Sequence, residues 1–302
     1  MSESTAADES ARQAGMPLLT VAIPVFNAGK YLRIAVISIL RQTFQDWELL
    51  IIDDGSSDDS LDTIRDIADA RIRILRDGEN HGLATRLNEA VDLARGKYFA
   101  RMDQDDFSYP ERFASQLAFL RSHPDIDLVA VRAVAISEDD MVSGILPSRL
   151  HHDEICARPW LGFYLPHPTW LGHRDWFLKH RYTSPGPYFC EDQDLLLRSY
   201  ADSRFATVNQ VLFGYRLRSR INLRKQLKTR WTLYRIQQHH FLAAGCYKYA
   251  LLSSLAFTGR VGSDLFRVAK EGLTGAGSKP QAVDPAEISR WRSVSGQAGC
   301  KS

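Results

Sequence analysis

The sequence predicts an α/β fold in which helices flank a mostly parallel sheet. Over about 120 residues from Leu18, short apolar, β-branched runs alternate with segments of helical periodicity, which is the pattern of βαβ units. Two of these runs end in clustered acids, as expected where parallel strands finish at a binding edge. The 302 residues, 44% hydrophobic and 25% charged, suffice for one large domain or two small ones and exclude a disordered or fibrous chain.

The first elements can be predicted in chain order. Five runs are apolar enough to be strands covered on both faces, at 19–24, 48–53, 71–75, 97–102 and 127–136. Apolar stripes with helical spacing lie between them, at 32–40, 61–68 and 83–94. A further helix is predicted after Ser108, because this hydroxyl followed by Pro110 and Glu111 matches a capping box.

The second half of the chain has a different character. After residue 137 the alternation weakens into loops rich in His, Pro, Trp and Tyr, which we interpret as the substrate-facing side. Helical character returns at 191–199 and at 223–252, the latter as one or two helices. The predicted organisation is a flexible tail (1–17), a catalytic domain (18–217), a basic and apolar helical extension (218–273) and a second flexible tail (274–302).

Cysteine and charge patterns bound the location and partners. The four cysteines form no C-x-x-C pair, which argues against a zinc ribbon or a disulfide framework and favours the reducing cytosol. A spanning helix is not expected, because no run of about 20 apolar residues is present. The net charge is only +2, yet residues 204–263 contain eleven Lys or Arg and no acid. This stretch predicts contact with an anionic membrane surface, and we predict no nucleic-acid partner.

Acidic residues close two of the predicted strands. Asp53 and Asp54 follow one, and Asp103, Asp105 and Asp106 follow the other. Like charges so close raise one another's pKa unless a cation neutralises them, and carboxylate oxygens suit Mg²⁺ or Mn²⁺. Because such an ion completes its shell with water and substrate phosphates, the cluster predicts a diphosphate ligand. The alternative is that these acids only form turns, with Asp58 capping the next helix.

Motifs of several other enzyme classes are absent from the sequence. It has no P-loop, no G-x-S-x-G elbow and no H-E-x-x-H, and its one glycine-rich match, at 272–277, falls in the predicted tail. A dinucleotide-binding dehydrogenase and the common hydrolases are therefore disfavoured. The run from His151 to Glu154 looks metal-like, but its polar surroundings favour a solvated loop.

An ordered series of motifs resembles the family 2 glycosyltransferases. The series consists of VAIPVFN from Val21, SILRQT from Ser38, IDDGS from Ile52, NHG from Asn80, ARGKY from Ala94 and DQD from Asp103. Enzymes of that family are inverting and metal-dependent and have the GT-A fold. The resemblance covers roughly 18–217 and implies a GT-A, Rossmann-like sheet with C-terminal helices, and a DXD motif at Asp103.

The resemblance also implies which residues bind the donor and the metal. Residues facing the nucleotide sugar would be Pro24, Asn27, Asp53, Asp54, Arg86, Asp103 and Gln104. The ligands of Mn²⁺ or Mg²⁺ would be Asp105 and Asp103, with Asp106.

On the acceptor side, the run from Glu191 is similar to the family's E-D motif, which implies that Asp192 is the general base. A carboxylate is suited to this task because a sugar hydroxyl is a poor nucleophile until its proton is removed. The alternative is that these acids only favour the helix dipole. His167 resembles a residue that borders the acceptor pocket, and Arg218 stands where many members have a histidine.

The resemblance implies a glycosyltransferase that moves a sugar from a nucleotide sugar, with UDP favoured, to a hydroxyl of a glycan or lipid-linked glycan. The expected setting is surface polysaccharide synthesis, in the cytoplasm at the inner face of the membrane. Two alternatives are a nucleotide-sugar-binding module without turnover and a nucleotidyltransferase. The first is disfavoured by the intact acidic motifs, and the second lacks its glycine-rich, lysine-containing loop.

Overall fold

A single mixed sheet organises the residues that the computed structural model describes, which are 15–187, 189–217, 223–274 and 283–296. Within them, nine strands run in the order β3-β2-β1-β4-β8-β6-β9-β5, with β7 paired to β6. The strands are β1 (Leu19–Val25), β2 (Trp47–Asp53), β3 (Ile72–Arg76), β4 (Tyr98–Arg101), β5 (Phe107–Ser108), β6 (Leu128–Ile136), β7 (Val142–Ile145), β8 (Leu171–His173) and β9 (Phe205–Arg216).

The first half of the sheet is the parallel block that the sequence predicts. β3, β2, β1 and β4 are parallel neighbours, and β1 and β2 are buried along their whole length. Helices cover both faces, which explains why these strands are almost continuously apolar. Because the strands run the same way, the acids that follow β2 and β4 arrive at one edge of the sheet.

The second half of the sheet is mixed. β8 lies between β4 and β6 and runs antiparallel to both, while β6 and β9 form a long parallel pair. The α/β class is therefore confirmed, with parallel pairing concentrated in the first half of the sheet. The three residues of β8 are too few to show periodicity in the sequence.

Nine α-helices are assigned in the described part of the chain. They are α1 (Tyr31–Leu40), α2 (Leu83–Leu93), α3 (Arg112–Ser122), α4 (His152–Cys156), α5 (Arg174–Lys179), α6 (Glu191–Ser199), α7 (Leu223–Ala243), α8 (Tyr247–Thr274) and α9 (Pro285–Gly296). None of them is both long and apolar enough to cross a membrane. The predicted helical stretch 223–252 is two helices, separated at Gly245, whose φ of 68° suits glycine.

Two local predictions in the first half are wrong. The expected helix at 61–68 is a single 3₁₀ turn, Leu61–Ile64, because hydroxyl and carboxylate side chains bond the local backbone, as Thr63 Oγ1 does to the Ser60 carbonyl. The capping box at Ser108 does not form. Ser108 belongs to β5, where its N–H donates to Ser38 Oγ, and α3 begins only at Arg112.

The predicted C-terminal tail contains a packed helix. In α9, Trp291 is buried against the rings of Phe107 and Tyr109, and its indole N–H donates to the Asp140 carbonyl at 2.7 Å. Burial of one large aromatic ring stabilises this helix although the surrounding residues are small and polar. The composition of the segment alone therefore does not predict its structure. The expectation of a flexible tail is therefore wrong for 285–296.

Candidate active site

One cleft of about 1020 Å³ opens at the carboxyl edge of the parallel block. It is lined by the acids after β4, by the loop before β8, and by the first residues of α6. Of the residues predicted from the sequence, those that line it are Asn27, Asp103, Asp105, Asp106, His167, Glu191 and Asp192. The structure thus brings the DXD motif and the E-D motif, about 90 residues apart in sequence, to a single cavity.

The acidic end of the cleft is built around a buried cation that the sequence reading missed. Arg101, the last residue of β4, is fully buried and ion-paired with Asp103. Its charge also acts on Glu191 and Asp192, so it lies electrostatically between the two carboxylate clusters. A signal was present, since a charged residue inside an otherwise apolar strand needs a partner.

Asp106 has one oxygen satisfied and one without a partner among the described residues. Its Oδ1 accepts the N–H of Arg216 at 2.8 Å, whereas its buried Oδ2 has no hydrogen-bond donor. Burial, followed by the charges of Asp103 and Asp105, raises the pKa of Asp106 well above the ordinary value. Three carboxylates so arranged are the environment that a divalent cation relieves, so these residues fit such an ion.

A complete protein cage for a metal is not formed. No group of three or more His, Cys, Asp or Glu side chains that could hold an ion occurs in the described part of the chain. Mg²⁺ and Mn²⁺ do not require one, since one or two carboxylates with water and substrate phosphates suffice. The residues available for this task are Asp103 and Asp105, with Asp106 behind them.

Several predicted donor residues hold loops together. Gln104 pairs with the backbone of Phe26 in both directions: it accepts the Phe26 N–H and donates to the Phe26 carbonyl at 3.0 Å. Asn27, at φ 52°, accepts the N–H of Ser57 at 2.9 Å. Pro24 is buried within β1. Pro24 and Gln104 therefore do not line the cleft.

Asp53, Asp54 and Arg86 also lie outside the cleft walls. Asp53 accepts the Ser56 N–H at 3.2 Å, and Asp54 accepts the Arg86 Nε at 2.9 Å together with the backbone N–H groups of His81 and Gly82.

Arg86 has a structural role that the sequence does not indicate. Arg86 is 2% exposed, and its guanidinium also binds Asp77 and Glu89, so three carboxylates already pair with it. Arg86 therefore braces the loop that carries Asp54, and its expected role toward the base or the diphosphate stays a prediction.

The second carboxylate cluster begins α6. Asp192 accepts a hydrogen bond from Gln193 Nε2 at 3.1 Å, and Gln193 is itself clamped to the backbone of Phe163, whose N–H it accepts at 2.8 Å. Burial is the main cause that raises the pKa of Asp192. The pKa of Glu191 is raised to about 7 by burial and by the charge of Asp192.

Asp194 points to other partners. It accepts from Thr183 Oγ1 at 2.7 Å and from Arg198 Nε at 3.0 Å, which is a helix-surface ion pair. The interpretation that an acid merely stabilises the first turn of the helix therefore suits Asp194 better than Asp192.

His167 lines the cleft as a buried, neutral imidazole. Its Nε2 shares a hydrogen bond of 2.8 Å with the Tyr182 hydroxyl, and its ring packs edge-on against Trp170. Burial, together with the charge of Arg101, lowers its pKa well below the ordinary value.

Arg218 lies outside the described residues, and Arg216, two residues earlier in the sequence, lines the cleft. Its Nε donates to the Asp105 carbonyl at 2.8 Å, and its guanidinium lies 4.4 Å from the centroid of the Tyr31 ring. The Tyr215-Arg216 pair itself was the signal that could have identified it.

Comparisons with known proteins agree with this fold. The family model "Glycosyl transferase family 2" matches residues 20–181, more than half of the chain. "Putative glycosyltransferase EpsE" of Bacillus subtilis is 34% identical over 136 residues, which are 44% of this chain and 49% of that protein. For three curated relatives, the matched region spans only 13%, 49% and 43% of their length.

Two solved structures show the same fold. S. aureus TarS 1-349 in complex with UDP-GlcNAc matches 93% of this chain and 80% of its own with a TM-score of 0.57 at 15% identity. The mannosyltransferase PcManGT from Pyrobaculum calidifontis, in complex with GDP-Man and Mn²⁺, matches 94% and 86% with a TM-score of 0.57 at 16% identity. At these identities the likeness concerns the fold, and the family assignment rests on the sequence match: the chain belongs to glycosyl transferase family 2.

Proposed function

We propose that the protein is an inverting glycosyltransferase that moves a sugar from a nucleotide sugar to a hydroxyl of a glycan. The observation that carries this proposal is the single cleft in which strand-end acids face a carboxylate of raised pKa at the start of a helix. A UDP-linked donor is favoured by the UDP-GlcNAc complex of the TarS fold relative, and a divalent metal by the Mn²⁺ complex of PcManGT.

Asp192 is the proposed general base. It removes the proton of the acceptor hydroxyl as that oxygen attacks the anomeric carbon of the donor, and the bond from this carbon to the nucleoside diphosphate breaks. A single displacement of this kind inverts the anomeric configuration. The raised pKa of Asp192 makes it a stronger base than an exposed aspartate, and the Gln193 amide fixes the orientation of its carboxylate.

The leaving diphosphate belongs beside the acids that follow β4. Asp103 and Asp105, with Asp106, would hold Mn²⁺ or Mg²⁺, which when bound neutralises charge on the diphosphate. Arg216 lies beside Asp105, whose carbonyl accepts its Nε, and its buried guanidinium is ion-paired with Asp140. Gln104 and Asn27 hold the two strand-end loops in place, which reduces the conformational entropy lost when the donor binds.

A membrane-facing surface is part of the proposal. Five large apolar side chains on α8 are half or more exposed: Tyr247, Leu251, Leu255, Leu265 and Phe266. Helical spacing places them on one side of the helix, within an arc of about 100°. The neighbouring acid, Asp264, is buried and paired with Arg230 and Arg267. It therefore adds no exposed negative charge beside the basic stretch 204–263.

This pattern fits an anionic lipid surface, and it would bring a lipid-linked acceptor to a cytoplasmic enzyme. Co-sedimentation at low salt, with vesicles that contain or lack anionic phospholipid, tests the surface. We expect preferential binding to the anionic vesicles, weakened by the double change Leu251→Asp and Leu255→Asp but not by Met141→Asp, an exposed apolar residue in the β6–β7 turn. Equal binding to both kinds of vesicle means that α8 is an ordinary surface helix.

The activity is tested by product analysis with labelled nucleotide sugars, Mn²⁺ or Mg²⁺ and a panel of glycan acceptors. We expect a glycoside of inverted anomeric configuration and free nucleoside diphosphate. Donor binding without any product would instead identify a binding module. Release of pyrophosphate from a nucleoside triphosphate and a sugar phosphate would identify a nucleotidyltransferase.

A further inference from the structure

The C-terminal helix α9 docks on the sheet through one buried tryptophan. Trp291 is 2% exposed, and its ring packs edge-on against Phe107 with the ring centroids 5.2 Å apart. The backbone of β9 comes close enough that a Cβ atom on Gly214 would lie 2.7 Å from Cζ3 of Trp291, nearer than non-bonded atoms approach. The sheet therefore has a slot for this ring, and α9 occupies a defined position.

The neighbouring residue of α9 fixes the same position. Nη1 of Arg290 donates to the Val211 carbonyl at 3.0 Å, and Nη2 donates to the Glu111 carboxylate at 3.4 Å. The guanidinium also lies 5.1 Å from the centroid of the Tyr109 ring. These contacts join α9 to β9 and to the segment before α3. A helix beyond the predicted catalytic domain, 18–217, is thus attached directly to its sheet.

Trp291 also connects α9 to the turn between β6 and β7. Its indole N–H donates to the Asp140 carbonyl at 2.7 Å. The Asp140 carboxylate in turn lies 2.7 Å from Nη2 of Arg216, as an ion pair rather than an aligned hydrogen bond, and both side chains are buried or nearly so. Helix α9 therefore holds the residue that supplies the counter-charge of a buried guanidinium.

Arg216 continues this chain of contacts to the acids of the cleft. Its Nη1 donates to the Ser137 carbonyl at 2.6 Å, within the β6–β7 turn. Its Nε donates to the Asp105 carbonyl, and its backbone N–H donates to Oδ1 of Asp106, both at 2.8 Å. A buried guanidinium that loses its counter-ion is strongly destabilised. Without Asp140 it would turn toward the cleft carboxylates and compete with a metal ion for them.

We propose that α9, Asp140 and Arg216 form a strap that positions the strand-end acids, and that this strap sets the affinity of the site for a divalent cation. The strap residues act through Asp105 and Asp106, so they are positioning residues. This inference rests on the proposed function and adds a regulatory element to the metal-binding end of that same site. The functional unit then extends from the predicted catalytic domain to α9.

Binding of Mn²⁺ to the whole chain with saturating UDP tests the proposal, with free Mn²⁺ measured by electron paramagnetic resonance. Asp140→Asn keeps the size of the side chain and tolerates φ 63°, but it removes the counter-charge of Arg216. It should weaken Mn²⁺ binding about tenfold. Asp139→Asn, at the exposed neighbouring position, is the control and should bind Mn²⁺ as the wild type does. Wild-type affinity of Asp140→Asn would overturn the proposal.

A pair of tryptophan variants separates positioning from general stabilisation of the fold. Trp291→Phe keeps a ring in the slot, loses the N–H that binds Asp140, and should weaken Mn²⁺ binding about fivefold, the contribution of one hydrogen bond. The matched control is Trp176→Phe, a buried residue outside the cleft whose Nε1 donates to Ser203 Oγ at 2.9 Å. Both should lower the melting temperature, and only Trp291→Phe should lose Mn²⁺ affinity. Equal Mn²⁺ affinity of the two variants would mean that α9 only stabilises the fold.

Transfer kinetics distinguish failure of the strap from failure of the proposed function. Asp140→Asn should raise the KM for Mn²⁺ and leave kcat at saturating Mn²⁺ close to that of the wild type, because Asp192 is unchanged. A lower kcat with an unchanged KM for Mn²⁺ would contradict the strap. If the wild type binds Mn²⁺ with UDP and transfers sugar, and Asp140→Asn matches it, the function stands and the strap falls. A wild-type protein that binds neither Mn²⁺ nor UDP overturns both.

Discussion

The two ends of the cleft are held together in different ways. At the donor end, the loops behind the cleft wall are joined by side chains that bond the backbone, as Gln104 does to Phe26 and Asp54 to Gly82. At the acceptor end, the loop before β8 meets α6 through the side chain of Gln193, which accepts the N–H of Phe163. One end is thus fixed by the parallel strands themselves, and the other depends on individual contacts between loops.

This difference matches the two substrates, since the nucleotide diphosphate is a constant partner and the acceptor can vary. Because the nucleotide diphosphate does not change, loops preorganised for it reduce the entropy lost when it binds. Acceptors differ from one enzyme to another, and loops joined by few contacts can change without disturbing the sheet. We therefore expect changes at the donor end to affect folding as well as donor binding, and changes at the acceptor end to affect turnover alone.

The largest expected effect on stability is that of Arg86→Met. The change leaves Asp54 buried without its cation, and breaking a buried ion pair in this way typically costs about 3–5 kcal/mol. Denaturant unfolding measures the loss. The matched control is Arg33→Met, whose pair with Asp66 is largely exposed and should contribute about 1 kcal/mol or less. A similar small loss for both variants would contradict the bracing role of Arg86.

Asp105→Asn should reduce both metal-dependent donor binding and transfer. The change removes charge from the strand-end cluster, and we expect a fall of about 100-fold or more in kcat/KM, which corresponds to about 2.7 kcal/mol. Titration of UDP with and without Mn²⁺ gives the binding component. Asp139→Asn, in the exposed β6–β7 turn, serves as the control. Wild-type affinity and activity that persist in excess chelator would remove the metal from the account.

The sequence predicts the donor end much better than the acceptor end. The parallel strands and their terminal acids follow from long apolar runs, which tertiary context rarely overrides. The role of Arg86 could not be predicted, because its three acidic partners meet it only after the loops fold. The same holds for Trp291, since a single buried ring decides the fate of a polar, small-residue segment.

At the acceptor end, the E-D motif was visible but its support was not. In the sequence, Gln193 is not distinguishable from other polar residues of a helical turn. Only the fold brings it to the backbone of Phe163. For Arg101, its place in an apolar strand indicated that it needs a partner, but only the fold brings its charge near Glu191, about 90 residues away. Motifs identify the groups that react, whereas the residues that orient them depend on three-dimensional contacts.

Gln193→Ala tests the hydrogen bond between Gln193 and the carboxylate of Asp192. Loss of the hydrogen bond that Gln193 donates to Asp192 should lower kcat about tenfold, since a hydrogen bond to a charged group contributes about 1.5–3 kcal/mol. Because this bond also lowers the pKa of Asp192, its removal should move the acidic limb of the pH profile to higher pH. Gln210→Ala, on an exposed part of β9, is the control. A lower kcat with an unmoved limb would indicate only a loosened fold.

The smallest expected effect is a shift, in the wild-type protein, of the acidic limb of the pH profile of transfer. Asp192 acts as a base only when ionised, so transfer falls as pH drops through its raised pKa. The limb should therefore lie above the ordinary aspartate value of about 3.9. Glu191, whose pKa is raised to about 7, faces the same site, as do Arg101 and Asp103. A kcat profile that stays flat down to the ordinary aspartate range would exclude Asp192 as the titrating base.

The most direct test of the central claim is a paired measurement on Asp192→Asn, namely the transfer rate and the affinity for UDP. The account predicts a rate at least about 100-fold lower, within the 10²–10⁴-fold typical of general-base catalysis, and a UDP affinity close to that of the wild type. Asp194→Asn, two residues along the same helix and paired with Arg198, should retain most of its activity. A fall of less than tenfold for Asp192→Asn, or loss of transfer in a correctly folded Asp194→Asn protein alone, would contradict the assignment of the base.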